Sequence, residues 1–168
     1  MDPVEICRRL GETKIRVIFL ELTADAMKKI LREAKLPTTR LPSHTTTKRR
    51  NEDWATRIWK QVADKASVSV AASVLFEWLT RSRRPMLAEF LTAIGVQHDH
   101  GLTDADFMKD TPAEKLVESG RVLLGKFDPS EVAAYLLFLD ASNKSEIFAG
   151  LDLAPLLGVA PAASAPQA

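Results

Sequence analysis

Residues 111–139 read TPAEKLVESGRVLLGKFDPSEVAAYLLFL, and this stretch decides the fold class. Thr111 can cap a helix, Pro112 suits the first helical position, and Glu114 is placed to complete a capping box. Asp128, Pro129 and Glu131 repeat that signal downstream. Apolar residues then recur at helical spacing: Leu116, Leu123, Leu124 and Phe127 in the first segment, and Val132, Tyr135, Leu136 and Leu139 in the second. Two segments that start and repeat this way predict helices, and the rest of the chain follows the same rules.

Upstream, Asp2-Pro3 opens a short helix that stops near Gly11. Ile15, Ile18, Phe19 and Leu22 favour helix over strand for the next segment. Thr23 caps a helix over 24–35 with Ala26, Met27, Ile30 and Leu31 inward, and Pro37 ends it. Further helices are expected over 48–66, with Trp54, Ile58 and Val62 as the seam, and over 70–81, with Ala71, Val74, Leu75, Trp78 and Leu79 inward. Pro85 opens another, lined by Met86, Leu87, Phe90, Leu91 and Ile94 and closed by Gly95. A loop over 96–110 contains one short turn, and a last helix or turn carries Ile147, Phe148 and Leu151. The expected fold is all-α: an irregular bundle of roughly seven to nine short helices with a disordered C-terminal tail.

Composition agrees. Of 168 residues, 46% are apolar and 27% charged, the balance of an ordinary globular chain with enough bulk for a core. Seven glycines and a single tyrosine argue against a sandwich. Cys7 stands alone, which excludes an intramolecular disulfide or a cysteine zinc cluster and suits a reducing compartment. No apolar run near the N-terminus approaches a bilayer span, and no signal peptide is read, so a cytoplasmic protein without a membrane partner is expected.

The segment KLPTTRLPSHTTTKRR, residues 35–50, is rich in proline, threonine and basic residues and is the expected boundary. It sets a small N-terminal helical subdomain at 1–36, a linker at 37–47, a main helical domain at 48–158 and a tail at 159–168. Charge is uneven about a later point. Residues 1–84 carry 18 Lys/Arg against 10 Asp/Glu, and residues 85–168 carry 5 against 12. Such asymmetry fits a nucleic-acid-facing half, docking of the two halves, or head-to-tail pairing of two copies.

Three constellations could carry chemistry. Lys48, Arg49 and Arg50 begin one helix, Arg57 continues it, and Arg81, Arg83 and Arg84 end the next. If the two helices are antiparallel neighbours, both clusters lie at one end and could hold phosphates. Cations at a helix N-terminus oppose the helix dipole, which hints at a use for residues 48–50, whereas Arg81–Arg84 at a C-terminus also have a structural use. Second, His98 and His100 in GVQHDHG would point the same way in an extended segment and could share a metal, with Asp99, Asp104, Asp106 or His44 as further ligands. The bland reading is a helix exit filled by polar turn residues. Third, Trp54, Trp59 and Trp78 lie on adjacent helices; core packing accounts for at least two of them, but Trp54 and Trp59 are five apart and cannot fully share one helical face, so one can reach a surface groove.

FEWLTRSRRPMLAEFLTAIGVQHDHGL, taken with the two proline-started helices, resembles uncharacterised all-helical proteins of bacteria over residues 76–139. The shared pattern runs Trp-Leu, basic residues, Met-Leu-x-x-Phe-Leu, then Gly-hydrophobic-x-His. The resemblance implies no activity, cofactor or catalytic residue; it places His98 in a recurring helix-end motif. The expectation is therefore a non-enzymatic helical domain that binds another macromolecule, first a protein partner or a second copy of itself. A nucleic-acid-associated protein using the basic clusters is the alternative, and a metal-binding loop at His98 and His100 the third reading. No catalytic residue and no cofactor is nominated.

Overall fold

The structure is a computed structural model that describes residues 1–36 and 47–158. Among these residues the chain forms eight α-helices and no strand. They are α1 Pro3–Glu21, α2 Ala24–Glu33, α3 Thr47–Ala63, α4 Val68–Ser82, α5 Arg84–Ile94, α6 Phe107–Asp110, α7 Ala113–Lys126 and α8 Pro129–Asn143. Two 3-10 turns, Ala149–Leu151 and Ala154–Gly158, complete it. The all-α, multi-helix expectation holds, and no helix among the described residues is long and apolar enough to cross a membrane. Apart from Thr47, which starts α3, the expected linker lies outside the described residues, as does the expected tail.

Packing divides the chain into two units, Met1–Arg84 and Pro85–Ala168. The division falls at the start of α5, where the charge balance changes sign, and not at residues 37–47. The physical reason is that α1 and α2 have no core of their own; they bury their apolar faces on α3 and α4.

In the first unit, Asp2 accepts a hydrogen bond from the Glu5 N–H at 2.8 Å, and Pro3 follows, so cap and proline start α1 where the sequence places them. Gly11 interrupts α1 at φ +83°, a conformation glycine adopts without Cβ strain. Beyond it Ile15, Ile18, Phe19 and Leu22 are buried, as their helical spacing requires. Arg8 Nη2 donates to the Ala63 carbonyl at 2.6 Å, and Arg83 reaches Glu21 at 3.6 Å. The start of α1 thus meets the end of α3, and its end meets the end of α4: α1 is antiparallel to α3 and parallel to α4. Ile6, Phe19, Ala55, Ile58, Val62, Val74, Leu75 and Trp78 are fully enclosed; burying each large apolar side chain contributes about 1.5–3 kcal/mol. The α3 seam is Ala55, Ile58 and Val62. Trp54, expected in that seam, is only partly covered. Cys7 is enclosed too, and burial, followed by the charge of Asp2, pushes its thiol up to about 12, which leaves it inert.

In the second unit Phe90 is the hub. Its ring meets Tyr135 at 5.5 Å, Phe107 at 6.1 Å and Phe148 at 6.4 Å, each edge to face. Met86, Leu87, Leu91 and Ile94 join it in the core. Lys115 donates to the Ile94 carbonyl at 2.6 Å and Lys126 pairs with Glu89, so α7 runs antiparallel to α5. The expected capping box at Thr111 does not form. Thr111 instead closes α6, its N–H donating to the Phe107 carbonyl at 3.1 Å, and α7 starts at Ala113 behind Pro112. The cap at Asp128 does form, accepting from the N–H groups of Ser130 at 2.9 Å and Glu131 at 3.2 Å. Leu124, Phe127 and Leu139, expected inside, are half-buried.

Candidate functional site

The cations that line a cavity of the first unit, Lys28, Arg32 and Arg50, are positioned by α2 and α3. Helix α2 is strongly amphipathic: Ala26, Met27, Ile30 and Leu31 face inward, and Lys28 and Arg32, four residues apart, share an outward stripe. Thr23 caps its start, accepting from the Ala26 N–H at 3.4 Å. Its end is a Schellman turn: Leu36 N donates to Leu31 O and Lys35 N to Arg32 O, both at 2.9 Å, with Lys35 left-handed at φ +52°. A buried carboxylate ties α2 down. Glu77 on α4 accepts from Lys29 Nζ and from Arg81 Nε, each at 2.6 Å. Burial would raise this carboxyl; the two hydrogen bonds, with the charges of Lys29 and Arg81, outweigh it and hold it below the ordinary glutamate value.

On α3, Arg50, Trp54 and Arg57 are spaced four and three apart and form one stripe. The Arg50 guanidinium lies over the Trp54 ring at 5.0 Å. Its Nε is buried and has no hydrogen-bond acceptor among the described residues. Where α2 and α3 face each other beside the end of α1, they enclose a cavity of about 430 Å³. Leu20, Leu22, Ala24 and Met27 supply its apolar wall, and Lys28, Arg32, Arg50, Asn51 and Trp54 the rest. No carboxylate is among these residues. The set presents donors and positive charge to whatever enters, which suits an anion with a planar or apolar body.

The predicted basic residues separate into two groups. Arg50 lines the cavity; Lys48, Arg49 and Arg57 are exposed on α3. The other three serve the end of α4. Arg81 pairs with Glu77, Arg84 Nε donates to the Thr80 carbonyl at 2.8 Å, and Arg83 donates to the Ser82 carbonyl at 3.0 Å while lying 5.2 Å over the Trp78 ring. Both groups reach the same end of α1, since Arg50 lines the cavity with Leu20 and Leu22 and Arg83 meets Glu21. Sequence reasoning missed Lys28, Arg32 and Asn51. The shared stripe of Lys28 and Arg32 was a legible signal; its facing Arg50 was not.

The histidine loop is a turn. Helix α5 ends in a Schellman motif at Gly95, φ +78°, with Val96 N donating to Leu91 O at 2.9 Å and Gly95 N to Thr92 O at 3.0 Å. Asp99 and Leu102 then exchange two backbone hydrogen bonds, of 2.8 and 3.0 Å, around His100 and Gly101, both at positive φ. That is the signature of a type I′ turn, so the segment is not extended at His100, as metal sharing with His98 assumed. His98 Nδ1 accepts from the Gly101 N–H at 3.2 Å and Nε2 donates to Thr92 Oγ1 at 2.9 Å, which occupies both ring nitrogens. His100 is 85% exposed. No three histidine, cysteine or acidic side chains converge among the described residues, and His44 lies outside them. Among the described residues no ligand set gathers at the loop, and His98 acts as a bracket between α5 and the turn.

Comparison with family models, with curated proteins and with solved structures finds no match for this chain.

Proposed function

We propose that this chain is a non-enzymatic helical module that binds nucleic acid through the basic end of its first unit. The observation that carries the reading is the cavity between α2 and α3, whose polar lining is Lys28, Arg32, Arg50, Asn51 and the Trp54 indole, with no carboxylate. The charge of residues 1–84, 18 Lys/Arg against 10 Asp/Glu, supplies the surrounding attraction for a polyanion. Lysine, arginine, amide and indole groups chiefly donate hydrogen bonds, so they suit holding phosphates better than moving protons. The reading takes precedence over a protein partner because Lys28, Arg32 and Arg50 line the cavity with no carboxylate in the lining, and such an excess of one charge is what the core of a protein interface avoids. A cytoplasmic setting belongs to the same reading, supported by the lone buried cysteine.

The test is fluorescence anisotropy of a labelled DNA or RNA oligomer titrated with the full chain at several salt concentrations. Three phosphate contacts predict a slope of about −2 in log K against log salt for a single strand and about −3 for a duplex. Charge reversal of Arg32 and Arg50 together should abolish binding. Absence of binding at low salt, or binding indifferent to that double reversal, sinks the proposal; an acidic peptide binding where the oligomers do not would assign the cavity to a protein partner.

A further inference from the structure

We infer that the cavity between α2 and α3 receives one nucleotide of a single-stranded chain, with its phosphate on Arg50 and its base against the Arg50–Trp54 stack. The inference rests on the nucleic-acid reading above and adds a strand preference and an anchoring residue.

Three observations lead there. The first is the Arg50 Nε, buried without an acceptor among the described residues. A buried donor left unsatisfied costs about 1–3 kcal/mol, more on a charged group. The Nε itself is closed off, so a phosphate in the cavity meets the open edge of the same guanidinium and supplies the countercharge that the enclosed nitrogen lacks. The second is the stack. With its guanidinium 5.0 Å from the Trp54 centroid, Arg50 is held as a plane, and arginine binds phosphate through that plane's edge while its face remains a surface on which bases stack. A lysine offers neither property. The third is shape. The cavity of about 430 Å³ lies in the size range of small-ligand pockets and is walled on one side by Leu22 and Met27. A splayed nucleotide of a single strand can enter it, but a base inside a duplex stack cannot. Lys28 and Arg32, on the facing helix, complete the charge around the phosphate.

The experiment compares a labelled oligothymidylate with a hairpin duplex of matched length, using the full chain and two variants, Arg50→Lys and Trp54→Phe. The single strand should bind about tenfold more tightly than the duplex. Arg50→Lys keeps the charge and removes the planar donor, so it should weaken the single strand about tenfold and the duplex no more than about twofold. Oligothymidylate should quench tryptophan emission in the parent chain and lose that effect in Trp54→Phe. Circular dichroism of both variants should match the parent. Equal affinity for the two oligomers, with Arg50→Lys indistinguishable from the parent, overturns this inference and leaves the nucleic-acid reading standing. Failure of both oligomers to bind removes that reading itself. Thymidine monophosphate competing as well as the oligomer does would assign the cavity to a free nucleotide and overturn the strand.

Discussion

Lys29 Nζ and Glu77 Oε1 stand 2.6 Å apart, joining α2 to α4. Glu77 is 3% exposed, and its second oxygen accepts from Arg81, so the carboxylate is enclosed while both cations reach solvent. Because Lys28 and Arg32 ride on the same helix as Lys29, this link also sets where the cavity cations stand.

Replacement of Glu77 by Gln should cost about 1–2 kcal/mol, since the exposed cations recover hydration but the buried group loses two charge-assisted hydrogen bonds. The pH dependence has a definite sign. The folded carboxyl is held below its ordinary value, so the unfolded state binds the proton first. The stabilisation is present above the unfolded value of about 4.3 and is lost as pH falls through the folded value. Urea unfolding from neutral pH down into the acid range should show this loss in the parent and a flatter profile in Glu77→Gln.

Asp140 should be the most sensitive polar position of the second unit. Buried at the end of α8, it accepts from Ser145 Oγ at 2.7 Å, the Ile147 N–H at 3.0 Å and the Phe148 N–H at 3.1 Å. These bonds seat Phe148 in the Phe90 cluster. Asp140→Ala should cost about 2–4 kcal/mol in chemical denaturation. Asp140→Asn should recover only part of this, because its amide would turn a donor toward one of those donors.

Two glycines of α7 should respond with opposite signs. A Cβ at Gly120 would meet Leu136 Cδ1 at 3.0 Å and Leu151 Cδ1 at 3.2 Å, whereas one at Gly125 would meet nothing within 4 Å. Helix propensity favours alanine at both by about 1 kcal/mol. Gly125→Ala should therefore stabilise by about 0.5–1 kcal/mol, and Gly120→Ala should destabilise by about 1 kcal/mol as crowding exceeds the propensity gain. Thermal unfolding of the two variants side by side reads the contrast.

The histidines should separate just as cleanly. His98→Ala removes the acceptor for Gly101 N–H and the donor to Thr92, at a cost of about 1 kcal/mol. His100→Asn places Asn-Gly, the favoured pair for a type I′ turn, at the two positive-φ positions and should be neutral or stabilising by a few tenths of a kcal/mol. Equal losses at both positions in urea unfolding would contradict the bracket-and-turn account.

The elements themselves were legible in the sequence. Caps and helical spacing placed Ala26, Met27, Ile30 and Leu31 inward on α2, and Met86, Leu87, Phe90, Leu91 and Ile94 inward on α5, and the structure buries them all. The one failed cap, Thr111, was displaced by a residue: Pro112 is itself extended at ψ +138°, so it takes the cap position and α7 starts at Ala113. The GVQHDHG stretch shows another limit. Its residue types permit an extended pair or a tight turn, and the choice depends on backbone hydrogen bonds between Asp99 and Leu102 and on Thr92 reaching His98.

The amino-acid sequence by itself determined the helices, most of their inward faces and the opposite charge of the two halves, because spacing, capping and charge count act over a few residues or by simple sum. Only the tertiary structure decided that α1 and α2 share a unit with α3 and α4, and that Lys28 and Arg32 face Arg50 and Trp54 across a cavity. Those residues lie on separate helices whose polar stripes carry no local record of their neighbour. Burial of the apolar faces turned the stripes toward each other, leaving the Arg50 Nε enclosed without an acceptor among the described residues.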